Sequence, residues 1–314
     1  MEQTQNKVQV LSSEETELRR EVGLFGGISV LGGVMIGSGI FYIGGIVLQR
    51  SGMSPSLAML VWIVGGLITL MSGICYAELG AMMPKAGGSY VYLREAYGER
   101  TAFMSGFSNF ILGSSGSNAA LAVAFSAAIA SMMPQSIFAQ SQWLQKGFAI
   151  AMIVLLTTIN IFGIKLGSMV QSIFMVFKLL PIAAILLCGL FMGKEVPNLT
   201  SIPVEHVSIG QICGMVAFGV VATLWAYEGW TNLNSIAEEI KHPKKNIPLA
   251  ILISIIGVTV LYVLFNFAVF RVLPADTIQQ MIAEGNYYLG TAAANSLFGN
   301  AGGIIVGSAM MLAI

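Results

Sequence analysis

The sequence predicts an all-α polytopic membrane protein, and three observations carry that expectation. Only 10% of the 314 residues are charged while 56% are apolar, whereas soluble domains carry about 25% charge. The mean hydropathy is +0.80. Apolar runs near or above the roughly 20 residues that cross a bilayer core recur along the whole chain, with Gly and Pro inside them. No succession of short alternating segments is present, which favours helices over barrel strands.

Taken in order, residues 1–22 form a polar tail that includes "SSEETELRRE" (Ser12–Glu21). The tail lacks the basic start, apolar stretch and cleavage site of a secretory signal, and it is expected in the cytoplasm. Eight spans follow, at 23–48, 56–83, 101–133, 147–163, 168–193, 210–236, 247–271 and 290–314. With the tail inside, the cytoplasmic side holds ten bases: Lys7, Arg19, Arg20, Lys85, Arg94, Arg100, Lys165, Lys241, Lys244 and Lys245. The exterior side holds four, Arg50, Lys146, Lys194 and Arg271. Ten against four agrees with the positive-inside rule. The fifteenth base, Lys178, belongs to neither side.

Several kinds of chemistry are excluded. Cys75, Cys188 and Cys213 lie in or beside apolar segments without paired spacing, so they are expected to be buried small hydrophobes. His206 and His242 each sit in a loop near a proline with no second ligand at metal spacing, so no metal is assigned. No phosphate loop, nucleophile elbow or nucleic-acid patch is present. The chain is therefore expected to use no cofactor, to bind no nucleic acid and not to be an enzyme.

A charge at bilayer depth costs several kcal/mol unless it faces a cavity or a partner. Lys178 lies ten residues into the fifth span, in "SIFMVFKLLPIAAILL". Snorkelling would have to cover about 15 Å at 1.5 Å per residue, so an inward-facing ammonium is expected. Glu228 lies in the sixth span, in "TLWAYEGWTN" (Thr223–Asn232), where a glycine and polar residues make continuous helix doubtful. A carboxylate buried there is expensive unless it serves a cation; the alternative is a bend whose Glu is capped by backbone donors. Glu78, Glu238 and Glu239 fall near cytoplasmic ends, within reach of water.

The first span contains "GGVMIGSGIF" (Gly32–Phe41), four glycines and a serine in ten positions, although glycine costs a helix interior about 1 kcal/mol against alanine. A GxxxG packing face accounts for Gly33 and Gly37, but not for Gly37, Ser38 and Gly39 in succession. A discontinuous helix does: half-helix N-termini attract anionic groups, and unwound carbonyls accept from cations. The two interrupted spans, first and sixth, are five helices apart, as two inverted repeats would place them. The expected division is a first repeat over 23–193 and a second, incomplete one over 194–314.

At these residues the chain resembles the amino acid–polyamine–organocation superfamily, and within it the L-type amino acid transporter branch. The resemblance runs through "GVMIGSGIF" (Gly33–Phe41), "YAELGAMMPKAGGSYVYLREAYG" (Tyr76–Gly98), "VQSIFMVFKLL" (Val170–Leu180) and "WAYEGWTNLNSIAEEIKHPKKNIPLAI" (Trp225–Ile251). It implies a leucine-transporter-like, five-plus-five inverted-repeat fold with broken first and sixth helices and two further helices. Ile36, Gly37, Ser38 and Gly39 would receive a substrate α-carboxylate. Carbonyls around Trp225, Ala226 and Glu228 would accept the α-ammonium. Trp225 would close over substrate as a gate, and Lys178 would take the coupling role that sodium has in other relatives. An acid at Glu228 implies tolerance of a cationic or polar side chain.

The function so implied is secondary transport of amino acids across the cell membrane by alternating access, as an exchanger or a proton-linked permease. A membrane sensor on the same scaffold is the alternative. The loop "MMPQSIFAQSQW" (Met132–Trp143) has no cysteine, so a disulfide-linked heavy subunit is not expected. The chain ends at Ile314 within the eighth span while the family continues through twelve, so a fragment or a truncated, non-transporting product are both open.

Overall fold

A computed structural model describes residues 16, 18–132, 135–162, 164–199 and 207–313. Lys7, His206 and most of the expected tail lie outside the described residues, as do two positions of the loop between the third and fourth spans. Among the described residues the chain is helical, with one isolated parallel bridge, Val22 to Ile240. Six helices are long and apolar enough to cross a membrane: Pro55–Met82, Glu99–Ala127, Gln142–Ile161, Leu166–Met192, Ile209–Ala226 and Pro243–Val272. They are the second to seventh expected spans. This is a multi-pass, all-α membrane protein.

The first span is broken, as its glycines predict. Helix α1 (Leu24–Met35) stops, the chain runs through Ile36 and Gly37, a 3-10 turn covers Ser38–Phe41, and α2 (Ile43–Arg50) resumes. Helix α3 (Pro55–Met82) starts where Ser54 accepts the N–H of Leu57 and Pro55 occupies the first turn, a position that needs no donor. A short helix, α4 (Ser89–Tyr97), leads into the third span, built of α5 (Glu99–Ser108), a π-helical turn (Asn109–Ser114) and α6 (Ser115–Met132). The π-turn is not visible in the sequence pattern. After the short α7 (Ile137–Gln140), α8 (Gln142–Ile161) and α9 (Ile164–Met192) form the fourth and fifth spans.

The sixth expected span, 210–236, is shorter as a helix: α10 (Ile209–Ala226) opens with a Ser208–Gln211 capping box and ends at Ala226. A turn and a 3-10 segment (Asn232–Glu239) follow, and then α11 (Pro243–Val272), α12 (Ala275–Ala283), α13 (Leu289–Phe298) and α14 (Asn300–Ala313). The eighth expected span is thus two helices meeting at Gly299, whose φ of 60 only glycine adopts freely. This third interruption, unlike those of the first and sixth spans, was not expected from the sequence.

Helices α3 and α11 make the most extensive helix contact, and glycines explain how they approach. Gly66, Gly73 and Gly80 recur every seven residues on one face of α3. A Cβ at each would come under 3.0 Å from Thr259, Ile255 and Ile247 of α11, respectively. A seven-residue seam is the geometry of left-handed helix pairs. Behind it lie the largest buried side chains, Trp62, Tyr227, Tyr262, Phe41 and Phe265.

One expectation is corrected. Cys75 and Cys213 are exposed and Cys188 is half-buried; all three thiols are free. An apolar residue on a spanning helix need not enter the protein core, because lipid also covers it. The same holds for exposed apolar residues such as Phe103, Leu112 and Val154.

The seam yields a stability test. Gly73→Val should cost about 1–3 kcal/mol by overpacking and lower the thermal unfolding midpoint in detergent. Gly214→Val, at a position with nothing within 4 Å, should leave the midpoint nearly unchanged.

Candidate functional site

The two helix breaks meet. At the first, Ile36 (φ −81, ψ 85) and Gly37 (φ −103, ψ −167) leave helical geometry. The Gly37 N–H turns back to the carbonyl of Met35 at 3.0 Å. Ser38 then begins a 3-10 turn with no side-chain cap, so its first N–H groups have no acceptor inside the turn. At the second break, Tyr227 donates its N–H to Thr223 and Glu228 to the carbonyl of Trp225 at 3.3 Å. Gly229 has φ +111, and a Cβ there would come under 3.0 Å from Val34. The turn can only pass this close to α1 because the residue is glycine.

Tyr262 of α11 ties the breaks together. Its hydroxyl lies 2.6 Å from the carbonyl of Met35 and 3.0 Å from that of Ala226. One proton serves one acceptor at a time, so the two carbonyl ends share it. The ring is held edge-on to Trp62 at 5.2 Å and tilted to Tyr227 at 5.3 Å. The Tyr227 hydroxyl in turn donates to the carbonyl of Trp62 at 3.0 Å. Sequence reasoning missed Tyr262; its signal was a hydroxyl in the middle of the apolar run "VTVLYVLFNF", where polar groups are expected to find partners.

Lys178 is only 2% exposed, and its ammonium donates to the carbonyl of Gly33. It lies on a face of α9 shared with Gln171 and Met175. A Cβ on Gly33 would collide with Gln171, and one on Gly32 would press on Met175 at 3.1 Å. Gly33 is therefore a packing glycine against α9. Gly37 is not: nothing lies within 4 Å of a Cβ built there.

On the opposite side Trp225 is 58% exposed. Its ring reaches 3.4 Å from the Cβ position of Gly39 and lies 6.2 Å from the ring of Tyr42, which is 5.6 Å from Tyr288. Glu228 departs from expectation. The structure exposes it, because α10 has already ended and the side chain leaves from the turn. Its carboxylate has no hydrogen bond or ion pair with the described residues.

Ile36, Gly37, Ser38 and Gly39 thus lie beside Trp225, Ala226 and Glu228, with Lys178 behind the first break and not in contact with the open side. Free N–H groups at Ser38 can donate to an anion, the Ala226 carbonyl, which shares the Tyr262 proton with Met35, keeps a lone pair for a cation, and Glu228 is exposed two residues on. Among the described residues no cluster of three or more metal-ligating side chains occurs.

Residues 22–314 match the amino acid permease family. The chain is 33% identical over 308 residues to the serine/threonine exchanger SteT of Bacillus subtilis, covering 97% of this chain and 66% of that protein. It is 35% identical over 278 residues to human b(0,+)-type amino acid transporter 1, covering 88% of this chain and 56% of the other. Against the human large neutral amino acids transporter small subunit 2 it is 35% identical over 258 residues, 80% of this chain and 47% of that one. The chain spans about half to two thirds of the length of these relatives.

The shared hydroxyl can be tested directly. Tyr262→Phe removes one oxygen and leaves buried carbonyls short of a donor, which should cost about 1–3 kcal/mol. The unfolding midpoint in detergent should drop, and stabilisation by added amino acid should weaken with it.

Proposed function

This chain belongs to the amino acid permease family, and from that premise we propose that the full-length protein carries amino acids across the cell membrane by alternating access. The observation that carries the reading is the pair of adjoining helix breaks, with uncapped N–H groups at Ser38 and, at Ala226, a carbonyl end that shares the single Tyr262 proton with Met35. A zwitterion matches that arrangement, its carboxylate on the first break and its ammonium on the second. Ile36, Gly37, Ser38 and Gly39 form the carboxylate cradle; Trp225, Ala226 and Glu228 form the ammonium side. Trp225 is the exterior gate. Lys178, bonded to Gly33, couples the first half-helix to α9. The N-terminus lies in the cytoplasm, as the distribution of bases supports, and the two repeats divide near residue 193.

Exchange is the preferred mode, supported by the name of the Bacillus relative, an exchanger of serine and threonine. The exposed, unpaired carboxylate of Glu228 supports acceptance of a cationic or polar side chain. No disulfide-linked heavy subunit takes part, in keeping with the absence of cysteine between Met132 and Trp143. A sensor on the same scaffold would bind substrate without flux.

Counterflow of labelled amino acid in proteoliposomes containing the full-length gene product separates these readings. Accumulation driven by unlabelled internal amino acid supports transport, and saturable binding without counterflow supports the sensor. Two substitutions sharpen the test. Gly37→Val should fold with an unchanged unfolding midpoint, because its Cβ meets open space, yet abolish uptake by filling the cradle. Glu228→Ser should lower arginine uptake relative to alanine by about tenfold, equivalent to roughly 1.4 kcal/mol; an unchanged ratio removes Glu228 from specificity.

A further inference from the structure

Bases from two distant stretches of chain gather at one corner of the bundle. The N–H groups of Glu21 and Val22 donate to the carbonyl of Glu239 at 3.0 and 3.1 Å, and the N–H of Lys241 donates to the carbonyl of Val22 at 2.8 Å. The Arg20 guanidinium donates to the carbonyl of Ile240 at 2.7 Å, which sets its charge one residue from Lys241. His242 then takes φ +47, a left-handed turn that non-glycine residues rarely adopt. Its carbonyl accepts the N–H groups of Lys245 and Asn246 at 3.0 and 2.9 Å, so Lys241, Lys244 and Lys245 are fixed within about one turn.

This corner lies at the membrane surface. Helix α11 has 30 residues, about 45 Å at 1.5 Å per residue, which matches a bilayer with its headgroups. Its first turn, with Lys244 and Lys245, therefore sits at headgroup depth on the side that holds the tail. Helix α1 starts beside it: a Cβ on Gly27 would meet that of Ala250 at 3.2 Å. Around the bases, Leu18 is 44% exposed and Phe25 66% exposed.

The charge there is not balanced from within. Arg19, Lys241, Lys244 and Lys245 are exposed, and their side chains have no hydrogen bond or ion pair with the described residues. The nearby acids crowd one another instead: the Glu239 carboxyl is held above its usual range, first by burial and then by the carboxylates of Glu21 and Glu238. Elsewhere on the same side the bases alternate with acids, and Arg94 lies 3.7 Å from Glu95.

We propose that Arg19, Arg20, Lys241, Lys244 and Lys245 form a binding surface for the headgroups of anionic phospholipids, with Leu18 and Phe25 against the acyl boundary. Clustered bases at the end of a spanning helix attract anionic lipid, and the exposed apolar side chains among them favour a lipid over a soluble phosphate. The surface goes beyond the transport reading and requires only a membrane-spanning chain.

Lipid retention tests it. Full-length protein in mild detergent is titrated with phosphatidylglycerol or phosphatidylcholine, and bound lipid is counted by native mass spectrometry. Phosphatidylglycerol should be retained in preference, and each of Lys241→Gln, Lys244→Gln and Lys245→Gln should weaken its retention about fivefold. Lys85→Gln with Arg100→Gln, on the same side of the membrane, should leave it unchanged. Equal retention of the two lipids, or undiminished phosphatidylglycerol on the triple glutamine variant, overturns the proposal. So does displacement of the lipid by an equal concentration of glycerol phosphate, which identifies a site for soluble anions. Should the glutamine variants misfold, two other measurements decide: lysine-to-arginine variants should retain the lipid, and added salt should release it from the unsubstituted protein; retention indifferent to salt overturns the surface. No flux enters these measurements, so absent counterflow with phosphatidylglycerol still held counts against the transport reading alone.

Discussion

Inside a bilayer no water is available to a backbone N–H or C=O, and each unsatisfied group costs several kcal/mol. A helix can break at membrane depth only where protein supplies the missing partners or the break lines a water-filled cavity. The hydroxyl of Tyr262, set between the carbonyls of Met35 and Ala226, gives the two breaks one shared donor, which serves either carbonyl in turn. Most of the remaining architecture follows from placing that one oxygen. The glycine seam of α3 brings α11 close, α11 carries Tyr262, and the rings of Trp62 and Tyr227 hold it in position.

The division of labour around the breaks is unequal. Carbonyl ends find donors within the bundle, the Met35 and Ala226 carbonyls sharing the Tyr262 hydroxyl and the Gly33 carbonyl taking the ammonium of Lys178. The N–H side at Ser38 has no cap and faces open space at Gly37. Donors left open beside the break are prepared for an anionic group there, which accords with the carboxylate cradle proposed above. Lys178 also acts mechanically: with Gln171 and Met175 it keeps α1 on α9, and it lies behind the break and not on its open side.

The contacts that hold α1 lie at its two ends. Helix α1 has only 12 residues and is held by α9 at one end and by the tail pairing at the other. A short rigid lever with two separable attachments suits a hinge motion in which the pivot stays packed and the far end swings. The side of the breaks that carries Trp225 is differently made, from the rings of Trp225, Tyr42 and Tyr288, which can part by side-chain rotation without breaking backbone pairing.

Much of this was legible in the residues themselves. Composition and run length alone require a helical membrane protein, because so few charges cannot cover a water-facing surface. The cluster of Gly37, Ser38 and Gly39 marks the first break, since local backbone preference is a property of the residues that carry it. Lys178 announces a buried partner for the same reason that any deep charge does, although its acceptor, Gly33, lies 145 positions away. What the sequence could not decide is which side each group faces and whom it meets. Burial of Cys75 and Glu228 was expected and exposure found, because hydropathy cannot distinguish a lipid-facing or cavity-facing surface from a protein core. Tyr262 and the pairing of Val22 with Ile240 needed the tertiary structure altogether: each joins segments more than 200 positions apart, and only the packed bundle brings their backbone groups within hydrogen-bonding distance.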